Sequence, residues 1–246
     1  MSSRSPAKFE TTIDLGDRKA PLIARINRRA RRLIVKVDAL SGRVLVTAPS
    51  KRALPAALDF AKTRAIWISA QLKEGGSAKP FHDGAVFPLR GSPVLVVHDG
   101  GPRAGVRLEH AQLFAGGEAA HLNRRIIDWL KAEARKIVTE RADHYSGALG
   151  RKRGPISIRD TRSRWGSCAR DGSLSFSWRL ILAPPPMLDY VAAHECAHLV
   201  HLDHSPAYWR VLKGLGVDAR AARDWFAAHG RALHAYGRER VPAERA

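Results

Sequence analysis

Cysteine is nearly absent from this chain: Cys168 and Cys196 are the only two in 246 residues. Small secreted domains without a large core rely on many disulfides, so two thiols exclude a disulfide-stapled framework. Long apolar runs are also missing. No stretch approaches the ~20 consecutive apolar residues that a membrane-spanning helix needs. The segment Met1-Ser2-Ser3-Arg4-Ser5-Pro6-Ala7-Lys8 lacks the apolar centre of a signal peptide. A cytoplasmic protein without membrane insertion is therefore expected. Internal repeats and low-complexity tracts are absent as well. There is no GxxxxGK[ST] phosphate loop, and no zinc-finger, RRM or homeodomain signature.

Acidic residues are the other shortage. The chain has 23 Asp+Glu against 42 Lys+Arg, a formal net charge of +19. Such a surface attracts polyanions: nucleic acid, an anionic membrane surface or acidic proteins. An arginine-rich solvated surface satisfies the same numbers, so charge alone names no partner. Residues 25–32 hold five arginines and no acid, and 151–164 is also basic. Against these shortages stands an ordinary interior, with 45% hydrophobic and 26% charged residues. That composition supports a folded core rather than disorder.

Patterning divides the chain near Gly116-Gly117. Before it, Leu22, Ala24 and Ile26 alternate with other residues, as do Leu33, Val35 and Val37, then Val44 and Val46. Ser41-Gly42 marks a hairpin turn between the last two strands. Leu58, Ala61, Ala65, Ile68 and Leu72 form one helical stripe that Gly75-Gly76 ends. Residues 86–114 read as further short strands. After the glycines, Leu122, Ile126, Trp129, Leu130, Ile137 and Val138 predict one long amphipathic helix over about 119–149. A hairpin follows, turning at Asp171-Gly172, a pair that suits a type I′ turn, with its return strand over 173–180. Helices are expected at roughly 186–201, 206–213 and 218–228. The fold class is thus α+β. A β-rich part with one helix spans 1–117, and a catalytic part with a small antiparallel sheet spans 118–246.

The chemistry concentrates in His194-Glu195-Cys196-Ala197-His198-Leu199-Val200-His201-Leu202-Asp203-His204. Helix positions four apart differ by about 40° in direction and ~6 Å in height, so His194 and His198 can close on one metal ion. Glu195 is placed to take a proton from a metal-bound water. Leu188, Ala192, Cys196, Leu199 and Val200 share the opposite, core-facing side. Two histidines compete as third ligand. His201 lies ~10 Å along the axis from His194 if the helix continues, too far for bonds of ~2 Å. His204 returns to the metal if the chain turns, and Asp203 with Ser205-Pro206 supplies the break and the next N-terminus. The spacing from His194 to His204 is that of zincins with a third histidine after a sharp turn. Those enzymes carry Gly where this chain has His201, a residue that adopts left-handed backbone less readily. His194, His198 and His204 are therefore the expected Zn2+ ligands, Glu195 the general base and His201 a supporting or substrate-contacting residue. Cys168 and Cys196 read as structural, and His229 and His234 as surface residues.

Trp165-Gly166-Ser167-Cys168, Tyr190-Val191, the His194–His198 motif and Asp203-His204-Ser205-Pro206-Ala207-Tyr208-Trp209 together resemble the YgjP-like metallopeptidase-domain family. The catalytic part also looks like SprT-like and WLM zinc proteases. The resemblance implies a zincin-like fold, the same three ligands and the same base. It also carries two activities. SprT-like relatives act on DNA-bound proteins, and some YgjP-like members hydrolyse nucleoside triphosphates to monophosphate and pyrophosphate. Peptide hydrolysis is the leading expectation, with strand 173–180 pairing with substrate and Arg164, Tyr190, His201 and Tyr208 as candidate oxyanion or substrate contacts. A metal-dependent nucleotide pyrophosphohydrolase and a nucleic-acid-associated protease are the alternatives. A non-enzymatic nucleic-acid binder explains the charge but leaves the motif unused.

Overall fold

The computed structural model describes residues 8–38, 41–74, 78–101, 104–161 and 164–239. Two compact units emerge, one from the chain up to Ala78 together with Glu239, the other from Lys79–Arg238. The change of pattern at Gly116-Gly117 thus falls inside the second unit. The strands before it and the long helix after it share one core, so patterning and packing divide the chain at different points.

The first unit contains β1 (Lys8–Asp14), β2 (Lys19–Ile26), β3 (Ile34–Asp38) and β4 (Arg43–Ala48) in the order β1-β2-β4-β3. The β3–β4 hairpin pairs Asp38 with Arg43, and Gly42 takes φ +66 in its turn. β1 gave no sequence signal because, over Phe9–Asp14, Ile13 alone is buried. The single helix expected over 58–72 is two, α1 (Leu54–Lys62) and α2 (Ala65–Glu74). Thr63 caps the first, its hydroxyl donating to the Phe60 carbonyl at 2.8 Å. The apolar stripe survives the break, with Ala61 and Ile68 both fully buried against Leu22, Val44 and Val46. The stop at Gly75-Gly76 lies outside the described residues.

The second unit opens with a sheet of the same topology: β5 (Val86–Leu89), β6 (Ser92–His98), β7 (Val106–Glu109) and β8 (Gln112–Ala115), ordered β5-β6-β8-β7. In both sheets two antiparallel hairpins join through a parallel central pair. The long helix is α3 (Leu122–Ala148). Its stripe serves two cores. Leu122, Ile126, Leu130 and Ala134 pack on the β5–β8 sheet, while Val138, Ala142 and Tyr145 pack where the functional elements meet. Each large side chain buried there contributes ~1.5–3 kcal/mol.

Next come β9 (Ile156–Arg159), β10 (Gly166–Cys168) and β11 (Leu174–Ser177), then a 3-10 turn over Trp178–Leu182. Their sheet is mixed rather than antiparallel, because β11 pairs antiparallel with β10 and parallel with β9. Of the expected return strand, Leu174, Phe176, Trp178 and Leu180 are all buried, but extended backbone stops at Ser177, and Ser177 and Arg179 are buried with them, so the alternation ends there. The Asp171-Gly172 turn is longer than type I′. Gly172 N–H donates to the Ala169 carbonyl, and Gly172 then takes φ +80. Finally α4 (Pro185–Ala197), α5 (Pro206–Gly214) and α6 (Ala219–Trp225) lead to a π-turn at Phe226–Gly230 and the short α7 (Arg231–Leu233). Arg179, only 1% exposed, locks this C-terminal segment. Its guanidinium forks onto Asp160, reaches the carbonyls of Leu233 and Tyr236, and lies over Trp178.

Candidate active site

Helix α4 ends four residues before its predicted limit, and that early stop builds the site. Ala197 is its last residue, and the Ala197 carbonyl accepts from both Val200 and His201 N–H. His198 is the C-cap. The chain then reverses through 199–204 and restarts at α5, whose N-cap Ser205 accepts from Tyr208 N–H. His201 does not take positive φ, so no left-handed residue is required there. The reversal returns His204 to the end of α4.

Nitrogen atoms of His194, His198 and His204 all lie within 4.8 Å of one another. The Nε2 atoms of His194 and His204 face each other at 3.2 Å. Two neutral imidazoles cannot both present lone pairs across that gap without repulsion, whereas a cation between them relieves it. Bonds of ~2.0–2.1 Å in a tetrahedron give an edge of ~3.3–3.4 Å, close to this spacing. The protonation states agree. His194 is held down to about 4 by burial, then by the neighbouring His198 and His204, and burial lowers His198 too. Both are neutral near pH 7, the form that ligates metal. The three histidines therefore fit a divalent metal ion.

Supporting contacts orient these rings. His198 Nδ1 lies 3.0 Å from the His201 carbonyl, which fixes that nitrogen as the proton carrier and leaves Nε2 for a ligand. His201 thus acts through its backbone. Tyr208, fully buried, stacks on His198 with ring centroids 4.6 Å apart and donates its hydroxyl to the His194 carbonyl at 3.1 Å. That places it behind the histidines as a positioning residue, away from solvent. Tyr190 is buried with its ring 5.7 Å from His194. Arg164 is exposed and near enough for its charge to act on Glu195.

Glu195 is 5% exposed. Burial raises its carboxyl to about 7, partly offset by Arg164 and by a hydrogen bond from the Cys168 N–H. Above the carboxylate lies β10. A Cβ on Gly166 would stand 2.6 Å from both Cγ and Oε1 of Glu195, so only glycine fits. This role of Gly166 was not readable from the sequence, where it stood only as part of a motif. The outermost ring of that motif, Trp165, stacks at 4.8 Å on His234, which is half-buried and not a surface residue. Cys196 is fully buried, and burial raises the thiols of Cys168 and Cys196 to about 11 and about 12. Both are inert thiols at neutral pH.

Strand order also corrects the expected substrate strand. β11 is the middle strand of three, bonded on both sides. The edge strands are β9 and β10, and β10 is the one that lies against Glu195. Ser177 N–H bonds the Trp165 carbonyl and Ala169 N–H the Ser173 carbonyl, so by alternation the peptide groups of Gly166 and Cys168 point away from the sheet.

The profile of the YgjP-like metallopeptidase domain matches residues 31–229. The chain belongs to the YgjP-like metallopeptidase family. The match includes every residue of the histidine cluster and most of the first unit, so the three histidines sit within a metallopeptidase domain. No curated protein matches the chain. Among solved structures, the metallopeptidase zymogen of Pyrococcus abyssi abylysin is similar at 20% identity and a TM-score of 0.34, over 42% of this chain and 99% of that one. No helix among the described residues is long and apolar enough to cross a membrane.

Proposed function

We propose that this protein is a zinc-dependent peptidase with a zincin-like catalytic part, in which His194, His198 and His204 hold the metal and Glu195 is the general base. The observation that carries the reading is a buried carboxylate raised to about 7 beside three convergent imidazoles. An all-imidazole donor set suits zinc, which takes three protein ligands and keeps one position open in catalytic sites. When bound, the metal supplies Lewis-acid polarisation of a carbonyl and acidifies water.

The chain's own residues do the rest. Glu195 takes a proton from the attacking water as the C–O bond forms, then gives it to the amide nitrogen as the C–N bond breaks. The Cys168 N–H and the Arg164 charge steady the carboxylate form between them. The outward N–H and C=O of Gly166 and the C=O of Cys168 offer an extended substrate a strand edge beside the base. Tyr208 and the His201 carbonyl hold the ligand rings in place.

The test is Glu195→Gln in the full chain. The variant should bind zinc as the wild type does, because no ligand changes. Its turnover of peptide substrates should fall at least a hundredfold, because an amide cannot accept the proton. A zinc-loaded variant that hydrolyses peptides at the wild-type rate would exclude Glu195 as the base.

A further inference from the structure

A cavity of about 470 Å³ opens beside His198, one of the three clustered histidines. One wall is the reversal after α4, with His198 followed by Leu199, Val200 and Leu202. The other is formed by two loops, 150–152 and 169–172. These loops are fastened together and to the reversal. Gly154 N–H donates to the Gly172 carbonyl at 2.9 Å. A Cβ on Gly172 would touch Leu199 Cδ2 at 3.5 Å, so the turn lies directly on that side chain.

The charge of this cavity is one-sided. Arg151, Lys152 and Arg170 line it and are exposed. Among the described residues none of them has an ion-pair partner, although a nearby arginine does. Arg153 donates to Asp143 at 2.7 Å and to the Gly154 carbonyl at 3.0 Å. The one acid on the wall, Asp171, is exposed, and its Oδ1 accepts from Ser173 N–H at 2.9 Å, which leaves the three cations in excess. Three uncommitted cations therefore face a space that also has an apolar wall from Leu199, Val200 and Leu202.

We infer that this cavity is a specificity subsite for an acidic side chain, glutamate above aspartate, close to the scissile bond of a peptide substrate. The inference rests on the peptidase reading given above. The chemistry is complementary at both ends. The methylenes of a glutamate can lie against Leu199 and Val200, and its carboxylate can reach the cations of the two loops. The guanidinium forks of Arg151 and Arg170 bind carboxylates in a bidentate manner. His198 is the member of the histidine cluster that lies in the wall, so a side chain seated there sits on the His198 side of the cluster. A positive cleft also concentrates acidic substrates before contact.

Binding is measured on Glu195→Gln protein loaded with zinc, so that the cavity is read whether or not peptides are cleaved. Three fluorescent peptides of equal length are compared, with Glu, Gln or Lys at one position. The Glu peptide should bind about tenfold more tightly than the Gln peptide, and the Lys peptide should bind most weakly. Adding Arg170→Gln should shrink the Glu-over-Gln ratio to about threefold or less, and Arg170→Glu should favour the Lys peptide. Zinc content should stay constant across the set, which separates a lost subsite from a lost metal centre. Equal binding of the Glu and Gln peptides, or a preference untouched by either Arg170 substitution, would overturn the inference. Selective binding of inorganic triphosphate over all three peptides, lost on Arg170→Glu, would also overturn it by giving the cations to phosphate. The peptidase reading fails separately, if zinc-loaded wild-type protein cleaves no peptide.

Discussion

At the residue scale burial shifts the protonation of the site's groups, at a cost in stability. Glu195 and His194 are perturbed in opposite directions by the same burial, the carboxyl up to about 7 and the imidazole down to about 4. For Glu195, raising pH from the ordinary carboxylate range to about 7 deprotonates the unfolded chain first. The folded state binds more protons in that window, so metal-free stability falls as pH rises and the whole penalty stands above pH 7. Metal-free Glu195→Gln should therefore exceed metal-free wild type in stability at pH 8, on the order of 3 kcal/mol. The gap should close towards pH 4.5. Denaturant unfolding of both proteins in chelator at the two pH values checks this, and an unchanged gap would refute the buried-carboxylate account. The ligand assignment is tested separately. His204→Ala removes a side-chain ligand and should lower zinc affinity by at least a hundredfold. His201→Ala leaves the backbone carbonyl on His198 in place and should keep zinc. Metal analysis after dialysis decides, and the reverse pattern would make His201 the ligand.

At the element scale two features build the site, the early end of α4 and the placement of β10. Ser205, Pro206 and Asp203 announced a chain reversal in the sequence. Where the helix would stop was hidden, because Leu199-Val200-His201 continues a helical pattern. The stop at Ala197 comes from hydrogen bonding: His198 Nδ1 to the His201 carbonyl and two donors on the Ala197 carbonyl favour a tight turn over another helical one. β10 lies over Glu195 because Gly166 leaves room for the carboxylate. Gly166→Ala should therefore push β10 and Glu195 apart. We expect activity to fall at least tenfold and stability to fall by about 1–3 kcal/mol, with zinc content unchanged. Peptide turnover and metal analysis on the purified variant test this. Full activity in Gly166→Ala would show that the strand is free to move away from the base.

At the scale of the whole molecule the charge of +19 governs encounters. Contacts of Lys and Arg with a phosphate backbone release condensed counterions, so affinity falls steeply with salt. The protein should bind duplex DNA or RNA at low ionic strength, with log affinity declining linearly against log salt. Six to eight phosphate contacts would give a loss of roughly 10³-fold or more between 50 and 200 mM salt. Fluorescence anisotropy across a salt series measures it. A flat series, or no binding at low salt, would leave the basic surface without a role in nucleic-acid contact.

Local sequence determined a great deal. Periodicity located β2, β3, β4 and the stripe of α3, because alternation and 3.6-residue spacing are properties of neighbouring residues, and the Ser205-Pro206 cap located the start of α5. Helix geometry paired His194 with His198, four positions apart, and the break at Asp203 with Ser205-Pro206 chose His204 over His201 as the third residue of the cluster. The shared topology of the two four-stranded sheets left no repeat in the sequence, because a strand needs only an apolar face and many residues supply one. What only the tertiary structure decided were relations between distant segments. β11 became a central strand when β9 joined its other side, which left β10 as the edge beside Glu195. Tyr208 lost its access to substrate because packing buried it behind His194 and His198. Gly166 acquired its function from a carboxylate 29 positions away in sequence, for a clash with a missing Cβ exists only once the two backbones are packed together.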